Sequence, residues 1–200
     1  LMFNCHRYFE LYYATPHTGT LAVPLNVRLS ASEIAYILKD SGSNTLFVGP
    51  EFLPLLAEIR AQLPALQHCI FTGEEPPPEG IHSYEHLLDA APTDFPPTAV
   101  APEDLAALFY TSGTTGHPKG VMLSHANLLA NAHHILASMD WRGGEVYLPA
   151  CPMFPIPDGP TSHFITWLGG THVIIPTFKP DLALEVMERE CVTATLLIPT

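Results

Sequence analysis

The order of hydrophobic and polar positions predicts helices and strands that alternate along the chain. Apolar residues spaced three and four apart predict helices at 4–14, 30–42, 51–63, 83–90, 124–138, 161–168 and 180–191. Short apolar runs predict strands at 19–25, 44–49, 68–72, 104–111, 120–123, 145–150, 171–176 and 193–199. Such alternation is typical of an α/β fold with largely parallel sheets flanked by helices.

Residues at the ends of these segments support the assignment. Asn4 is a candidate N-cap of the first helix, and Ser30 with Glu33 forms a possible capping box for the second. Gly42 lies just past the end of the second helix, where glycine is favoured. Ser124 is a candidate N-cap of the helix at 124–138.

That helix is expected to bury one face, because its apolar residues follow the spacing of a single stripe. The stripe consists of Leu128, Leu129, Ala132, Ile135, Leu136 and Met139.

Residues 73–103 interrupt the alternation. The stretches at 74–80 and 91–102 are rich in proline and acidic residues, which is typical of loops. One short helix, with Ser83 as its expected cap, lies between them. We therefore expect a proline-rich surface excursion within one domain that spans 1–200.

Composition indicates a packed, acidic, globular chain. Apolar residues make up 47% and charged residues 14% of the 200 residues. The formal net charge of -12 argues against nucleic acid or an anionic membrane surface as a partner. No apolar run reaches the roughly 18 residues of a membrane helix, and the first ten residues lack the pattern of a secretory signal.

The four cysteines, Cys5, Cys69, Cys151 and Cys191, are far apart and form no C-x-x-C pair. We interpret them as reduced, mostly buried thiols, which is typical of a cytoplasmic protein. The chain begins at Leu1 rather than Met and stops just after an apolar run, so we expect a fragment of a longer protein.

The stretch TSGTTGHPKG, residues 111–120, carries the candidate chemistry. It follows a predicted buried strand, which is where ligands bind in open α/β sheets. Its glycines let backbone N–H groups point at phosphate oxygens, its hydroxyls add donors, and Lys119 adds a positive charge. Between Asp104 and Asp140, Lys119 is the only charged side chain apart from any protonated histidine. A polyphosphate would therefore meet little repulsion here.

Composition alone leaves two interpretations of this loop. One is a phosphate cradle, and the other is an ordinary Gly/Thr-rich hairpin between two strands. A Walker A motif is excluded, because it requires G-x-x-x-x-G-K-S/T and here Pro118 precedes Lys119 and Gly120 follows it.

The longer string LFYTSGTTGHPKGVMLSHANL, residues 108–128, resembles the signature loop of the adenylate-forming, AMP-binding enzymes. Every fixed position of the pattern Y/F-T-S-G-S/T-T-G-x-P-K-G-V is present. The segments at 21–48 and 168–200 are similar to acyl-CoA synthetases, and the resemblance is weakest at 73–100. It implies that 1–200 is part of the N-terminal domain of an enzyme of the fatty-acid–CoA ligase type.

The resemblance implies a ligase reaction in two steps. A carboxylic acid, with fatty acids favoured, attacks the α-phosphate of Mg²⁺–ATP and gives an acyl-adenylate and pyrophosphate. The thiol of coenzyme A then takes the acyl group and AMP leaves. The residues that would bind the ATP phosphates are Thr111, Ser112, Gly113, Thr114, Thr115, Gly116 and Lys119, with Lys119 as the catalytic residue.

One position departs from the family pattern. A histidine often follows the L-P-M/L-F string, beside the acyl carboxylate, but Pro155 stands there in this chain. Proline offers neither a side-chain donor nor a backbone N–H. The resemblance still implies that Phe154 lines the substrate pocket. His163 either substitutes for the missing histidine or is a buried structural residue.

The resemblance also implies that groups outside these residues are needed. The family's Y-G-x-T-E motif, the ribose-binding aspartate of its T-G-D motif and its C-terminal catalytic lysine are not found in 1–200. We therefore expect the 200 residues alone to be inactive and to need the missing C-terminal part of the same enzyme. The alternative is a truncated, non-catalytic nucleotide-binding module or pseudoenzyme.

The remaining histidines offer weaker signals. The string HSYEH, residues 82–86, matches the H-x-x-E-H pattern of a zinc peptidase. If Ser83 caps the helix, however, His82 lies outside it, so we favour a short surface helix without a metal. His133 and His134 are adjacent on a helix and point about 100° apart, so they do not easily share a ligand.

Overall fold

The computed structural model describes residues 1–111, 116–155, 157–159 and 163–198. Its helices are α1 (His6–Thr18), α2 (Ala31–Asp40), α3 (Leu53–Ile59), α4 (Tyr84–Ala90), α5 (His125–Ser138), α6 (His163–Trp167) and α7 (Pro180–Arg189). Its strands are β1 (Thr45–Val48), β2 (His68–Phe71), β3 (His82–Ser83), β4 (Leu105–Thr111), β5 (Lys119–Ser124), β6 (Val146–Leu148), β7 (Thr171–His172) and β8 (Ala194–Thr195). Short 3-10 turns precede and follow α3, at Pro50–Phe52 and Arg60–Gln62.

The chain folds into two compact units. The first contains Leu1–Met2, Val23–Thr98 and Leu108–Val121. The second contains Phe3–Ala22, Ala99–Ala107 and Met122–Thr200. Strands β4 and β5 pair in a two-stranded sheet, and each contributes residues to both units. The loop that joins them belongs to the first unit.

A parallel sheet of order β1-β2-β3 organises the first unit. Thr45 pairs with His68, and Ile70 pairs with His82. Helix α2 packs against α3 and buries apolar residues at the spacing of one helix face. These buried residues are Ile34, Ala35, Ile37 and Leu38.

The N-terminus of α2 is held by a capping box, as predicted. The hydroxyl oxygen of Ser30 accepts the N–H of Glu33 at 3.4 Å, and the Glu33 carboxylate accepts the N–H of Ser30 at 2.9 Å. Past the end of the helix, Gly42 has a φ of 64°, which a residue without a Cβ adopts readily. Both ends of this helix are confirmed.

A second parallel sheet, of order β7-β6-β8, organises the second unit. Consecutive residues of a strand point to opposite faces of the sheet. Tyr147 accordingly packs against residues of α5 and α6, whereas Leu148 packs against residues of α7. Helices therefore cover both faces of this sheet, and the predicted α/β class with largely parallel sheets is confirmed.

Several predicted elements are shorter than expected. The expected strand at 19–25 is reduced to one bridge between Ala22 and Ala107, because Pro24 has no N–H to give to a strand ladder. Strands β7 and β8 each have two residues, because the strand is limited to the two residues that pair with β6. The rest of each predicted apolar run lies outside the strand.

The expected role of Asn4 as a helix cap is wrong. The N-cap of α1 is Cys5, and its side chain makes no capping hydrogen bond. Asn4 instead directs its amide to the backbone at 151–153.

The expected buried stripe of α5 is only partly correct. Ala132 is buried, whereas Leu129 and Met139 are 49% and 64% exposed. Leu128, Ile135 and Leu136 are half-buried. In the part of the chain that the structure describes, α6 packs against α5, and this helix of 5 residues is too short to cover the whole stripe.

Residues 73–103 contain β3 and α4 and are exposed or half-buried throughout. Ser83 caps α4 by accepting the N–H of His86 at 3.3 Å, so His82 lies in β3 and outside the helix. Among the described residues, no three metal-binding side chains are grouped to hold an ion. The assignment of this segment as an excursion within one domain stays a prediction.

None of the helices in the described ranges combines the length and the apolar character that crossing a bilayer demands.

Candidate functional site

The loop at 111–120 connects β4 to β5. Thr111 is the last residue of β4, Lys119 is the first residue of β5, and both are exposed. Gly116 has a φ of 132°, a conformation that side-chain-bearing residues rarely adopt. The other predicted phosphate-binding residues, Ser112, Gly113, Thr114 and Thr115, lie outside the described residues.

The side chain of Lys119 is open to an anionic ligand. It is exposed at the start of β5, and no carboxylate of the described ranges forms an ion pair with it. Its neighbours along the chain, from 105 to 139, contribute no acidic residue. The positive charge of Lys119 is therefore not neutralised by nearby carboxylates of its own segment.

Helix α2 contacts the residues on both sides of this loop. The hydroxyl of Tyr110, just before Thr111, donates to the carboxylate of Asp40 at 2.6 Å. Burial and the neighbouring Asp40 raise the pKa of Tyr110, so its hydroxyl keeps the proton that it donates. On the other side, the ring of His117 stacks on Tyr36 with centroids 4.5 Å apart and planes inclined by 14°.

The second candidate segment is the loop that follows β6, residues 149–159, here named the β6 loop. It carries Phe154, which is half-buried. Asn4 fixes the backbone on the N-terminal side of Phe154. Its amide nitrogen donates to the carbonyl of Cys151 at 2.9 Å, and its amide oxygen accepts the N–H of Met153 at 2.7 Å. Both hydrogen bonds are buried, so they hold this stretch in one conformation.

Tyr12 of α1 holds the same loop from another direction. Its hydroxyl donates to the carbonyl of Met153 at 2.5 Å. A Cβ at position 159 would lie 2.6 Å from that hydroxyl and 2.5 Å from that carbonyl, so only glycine fits there. The N–H of Gly159 donates to the carbonyl of Pro155 at 3.2 Å. Phe154 therefore lies in a backbone segment that is tied on both sides.

Asp158, near the end of the β6 loop, is a fully buried carboxylate. The hydroxyl of Tyr147 donates to one of its oxygens, and the N–H of Cys151 donates to the other at 2.6 Å. Burial raises the pKa of Asp158, and the two hydrogen bonds act in the opposite direction. Asp158 thereby joins the strand residue Tyr147 to the start of the loop.

His163 begins α6 and is half-buried, with its ring edge-on to Tyr13 at a centroid distance of 4.9 Å. Nearby, Thr166 accepts the hydroxyl of Tyr13 at 2.6 Å and lies 3.0 Å from Nε2 of His172. The Nδ1 atom of His172 is buried and has no hydrogen-bond partner in the described part of the chain. Burial, and then the neighbouring His163, lower the pKa of His172 to about 4.

Residues 1–200 match the family of AMP-binding enzymes. The chain belongs to this family. A long-chain-fatty-acid–CoA ligase of Thermus thermophilus is 36% identical, over 100% of this chain and 37% of its own length. A feruloyl-CoA synthase of Amycolatopsis sp is 34% identical, over 98% of this chain and 37% of its own length. The chain thus spans little more than a third of the length of these AMP-binding relatives.

Solved structures of AMP-binding enzymes share the fold. The N-terminal domain of FACL13 from Mycobacterium tuberculosis, with an inhibitor bound, matches with a TM-score of 0.88 at 31% identity, over 98% of this chain and 48% of that one. An anthranilate CoA ligase, AuaEII, in complex with anthranoyl-AMP, matches with a TM-score of 0.90 at 28% identity, over 98% of this chain and 38% of that one. The fold expected for part of an N-terminal domain of this family is confirmed.

The structure places the described residues of the predicted phosphate and substrate sites in two groups. Thr111, Gly116 and Lys119 lie on the β4–β5 connection of the first unit. Phe154 and His163 lie in the second unit. Their roles in binding stay predictions.

The supporting role of the residues that hold these two groups was not predicted from the sequence. Tyr36 and Asp40 are four apart on α2, a spacing that puts them on one face and that pattern analysis could have noticed. The partners of Tyr110 and Asn4, by contrast, are 70 and at least 147 positions away along the chain. Nothing in the local sequence marks Asp158 as buried.

We expect Asp158→Ala to lower the free energy of unfolding by about 3 kcal/mol, because it leaves a buried hydroxyl and a buried N–H without an acceptor. Asp158→Asn should cost less than about 1 kcal/mol, because the amide accepts from Cys151 and can donate to the hydroxyl of Tyr147. Urea unfolding of the variants measures both values, with the exposed Asp140→Ala as the control. Equal costs for Asp158→Ala and Asp140→Ala would contradict the anchoring role.

We expect His172 to make the protein less stable as the pH falls from 6.5 to 4. The unfolded chain takes up a proton at His172 near pH 6.5, whereas the folded chain resists until about pH 4. Acid therefore favours unfolding, by about 1 to 2 kcal/mol, because solvent screens this half-buried ring and reduces the effect of the full shift. His172→Gln cannot be protonated and should show a flatter loss of stability over this window. Urea unfolding at several pH values tests this, with the exposed His134→Gln as the control. Parallel curves for wild type and His172→Gln would refute it.

Proposed function

We propose that the full-length protein activates a carboxylic acid with ATP and transfers the acyl group to coenzyme A. In the first step the acid forms an acyl-adenylate and pyrophosphate leaves. In the second step the thiol of coenzyme A takes the acyl group and AMP leaves. The observation that carries this proposal is the complete signature loop of the family with the exposed, unneutralised Lys119 at its end.

The proposed activity belongs to the whole protein. The chain covers 37% of the length of the first relatives, so the C-terminal part of the same enzyme is the proposed partner that completes the site. The ligase names of these relatives support the reaction class, and the anthranoyl-AMP held by the anthranilate CoA ligase supports an adenylate intermediate.

We propose that the 111–120 loop holds the β- and γ-phosphates of ATP. Negative charge develops on the leaving pyrophosphate as its bond to the α-phosphate breaks, and a positioned ammonium stabilises that charge. Lys119 would supply the ammonium, and Thr111, Ser112, Gly113, Thr114, Thr115 and Gly116 would supply uncharged donors. Mg²⁺ would enter as part of the Mg²⁺–ATP substrate.

A fatty acid is the proposed substrate class. The name of the Thermus thermophilus relative supports it. Other relatives act on feruloyl and 3-methylmercaptopropionyl groups, so the similarity supports a carboxylic acid more strongly than one acyl group.

We propose a cytoplasmic location. The support is that all four cysteines are free thiols, which suits a reducing compartment.

On the acyl side, we propose that Phe154 lines the substrate pocket and that His163 is the second candidate for contact with the acid. Both residues are half-buried, so neither is fully enclosed within the described chain. Pro155 cannot replace the histidine that often stands at its position in the family, because it has no donor. The hydrogen bonds of the β6 loop would keep Phe154 in place.

In the full-length protein, Lys119→Ala should slow carboxylate-dependent ATP–pyrophosphate exchange by about 100-fold or more, because the charge that stabilises pyrophosphate is lost. Lys179→Ala removes another exposed lysine, in the second unit, and serves as the control. If Lys119→Ala catalysed ATP–pyrophosphate exchange as fast as the wild type, the loop would have no part in the mechanism. ATP binding without exchange by the wild type would favour the non-catalytic nucleotide-binding module instead.

Phe154→Ala should raise the KM for the carboxylic acid by about tenfold while the KM for ATP stays the same, because apolar contact with the acyl group is lost. His163→Gln should raise the same KM only if the imidazole contacts the acid. Phe178→Ala, at an exposed ring, is the control. Equal shifts of both KM values in Phe154→Ala would argue against a pocket role for this residue.

A further inference from the structure

We propose that Tyr36, Asp40, Tyr110 and His117 form a clamp that positions Lys119 for phosphate binding, here named the α2 clamp. None of these four residues is part of the predicted phosphate-binding set. The proposal rests on the proposed function, because it assigns these side chains to the same phosphate loop. It makes them positioning residues, which act through Lys119 rather than on the substrate.

Helix α2 is suited to carry the clamp because its opposite face is fixed. Ile34, Ile37 and Leu38 are at most 3% exposed, so the helix cannot shift without disturbing the core of the first unit. Tyr36 and Asp40 are separated by four positions and therefore project from one face of the helix. Tyr36 is half-buried and Asp40 is exposed, so this face points away from the core.

The first contact of the clamp is the stack between His117 and Tyr36. The rings are nearly parallel at 14°, with centroids 4.5 Å apart, which is the offset-stacked range for aromatic pairs. His117 is exposed and lies two positions before Lys119. The stack is the contact by which this otherwise exposed residue meets the rigid helix.

The second contact lies on the other side of Lys119. A Cβ at position 120 would lie 3.0 Å from Cζ of Tyr110, so glycine lets the backbone rest on that ring. The hydroxyl of the same ring donates to Asp40 at 2.6 Å. The backbone just after Lys119 is thus connected through Tyr110 to the end of α2.

Lys119 therefore lies between two contacts, at His117 and at Gly120, and both connect the backbone to α2. A lysine side chain is long and flexible, so its ammonium can be placed only if its backbone is held. Small errors in the position of a catalytic group strongly reduce the reaction rate, since a shift of about 1 Å can lower the rate on the order of 100-fold. An unclamped Lys119 would keep its charge but lose its fixed position relative to the phosphates.

The decisive test uses His117 variants of the full-length protein in ATP–pyrophosphate exchange. His117→Ala should lower kcat/KM for ATP by about tenfold and leave the KM for the carboxylic acid unchanged. His117→Phe keeps an aromatic ring against Tyr36 and should restore kcat/KM to within about threefold of the wild type. His134→Ala, which removes another exposed histidine, is the control. Failure of Phe to rescue, or an effect on the KM of the acid, would overturn the clamp.

A double-mutant cycle separates positioning from general stability. If His117 acts through Lys119, His117→Ala should have less than about a twofold further effect in a Lys119→Ala background. A destabilised fold would instead lower activity by the same factor in both backgrounds, which would overturn the proposal. Tyr110→Phe, which loses only the hydrogen bond to Asp40, should show the same dependence on Lys119.

A readout without catalysis keeps this inference distinct from the proposed function. Amide hydrogen exchange of the segment 116–121 should accelerate at least fivefold in His117→Ala and stay at the wild-type rate in His117→Phe. If the wild type were inactive but the variants showed this pattern of hydrogen exchange, the ligase function would be refuted and the clamp would stand. If the wild type were active and His117→Ala had the same hydrogen exchange and the same kinetics as the wild type, only the clamp would be refuted.

Discussion

Both candidate loops are held by side chains that reach their backbone or their flanking residues from other parts of the chain. In the first unit the support comes from α2, through a stacked ring and a hydroxyl–carboxylate hydrogen bond. In the second unit it comes from Asn4 and Tyr12, which bind the backbone of the β6 loop on either side of Met153. A site built this way is only as well ordered as the elements that carry its anchors, and those elements are fixed by ordinary core packing. Ile34, Ile37 and Leu38 of α2 and the β6 residues Tyr147 and Leu148 therefore support the two candidate loops through core packing.

The elements themselves follow from local pattern, which explains why most of them were predicted. The capping box at Ser30, the cap at Ser124 and the apolar runs of β1, β2 and β4 are short-range signals, and all of them appear in the structure. The failures share a different cause. Whether 19–25 forms a strand, and whether the stripe of α5 is covered, depends on which partners meet these segments, and periodicity contains no information about partners.

The candidate sites show the same difference between features that are local in sequence and features that depend on distant partners. The residues that form the signature of the 111–120 loop are consecutive in the chain, so the signature and Lys119 could be identified from the sequence. The anchors could not, because the contacts join residues 70 or more positions apart, such as Tyr110 with Asp40 and Asn4 with Cys151. Asn4 shows how a correct observation leads to a wrong role. Its amide does satisfy backbone groups, as the capping hypothesis requires of a polar side chain in this place, but the groups belong to the β6 loop.

The β6 loop also gives a physical reason for the unusual Pro155. Four prolines of this loop, Pro149, Pro152, Pro155 and Pro157, each fix φ and remove one backbone donor. Of the N–H groups that remain, those of Cys151, Met153 and Gly159 each donate to an acceptor within the second unit. The prolines restrict the conformations of this loop and reduce the number of backbone donors that it can offer to a ligand. In the proposed ligase reaction, recognition of the acyl carboxylate therefore cannot use a hydrogen-bond donor of residue 155.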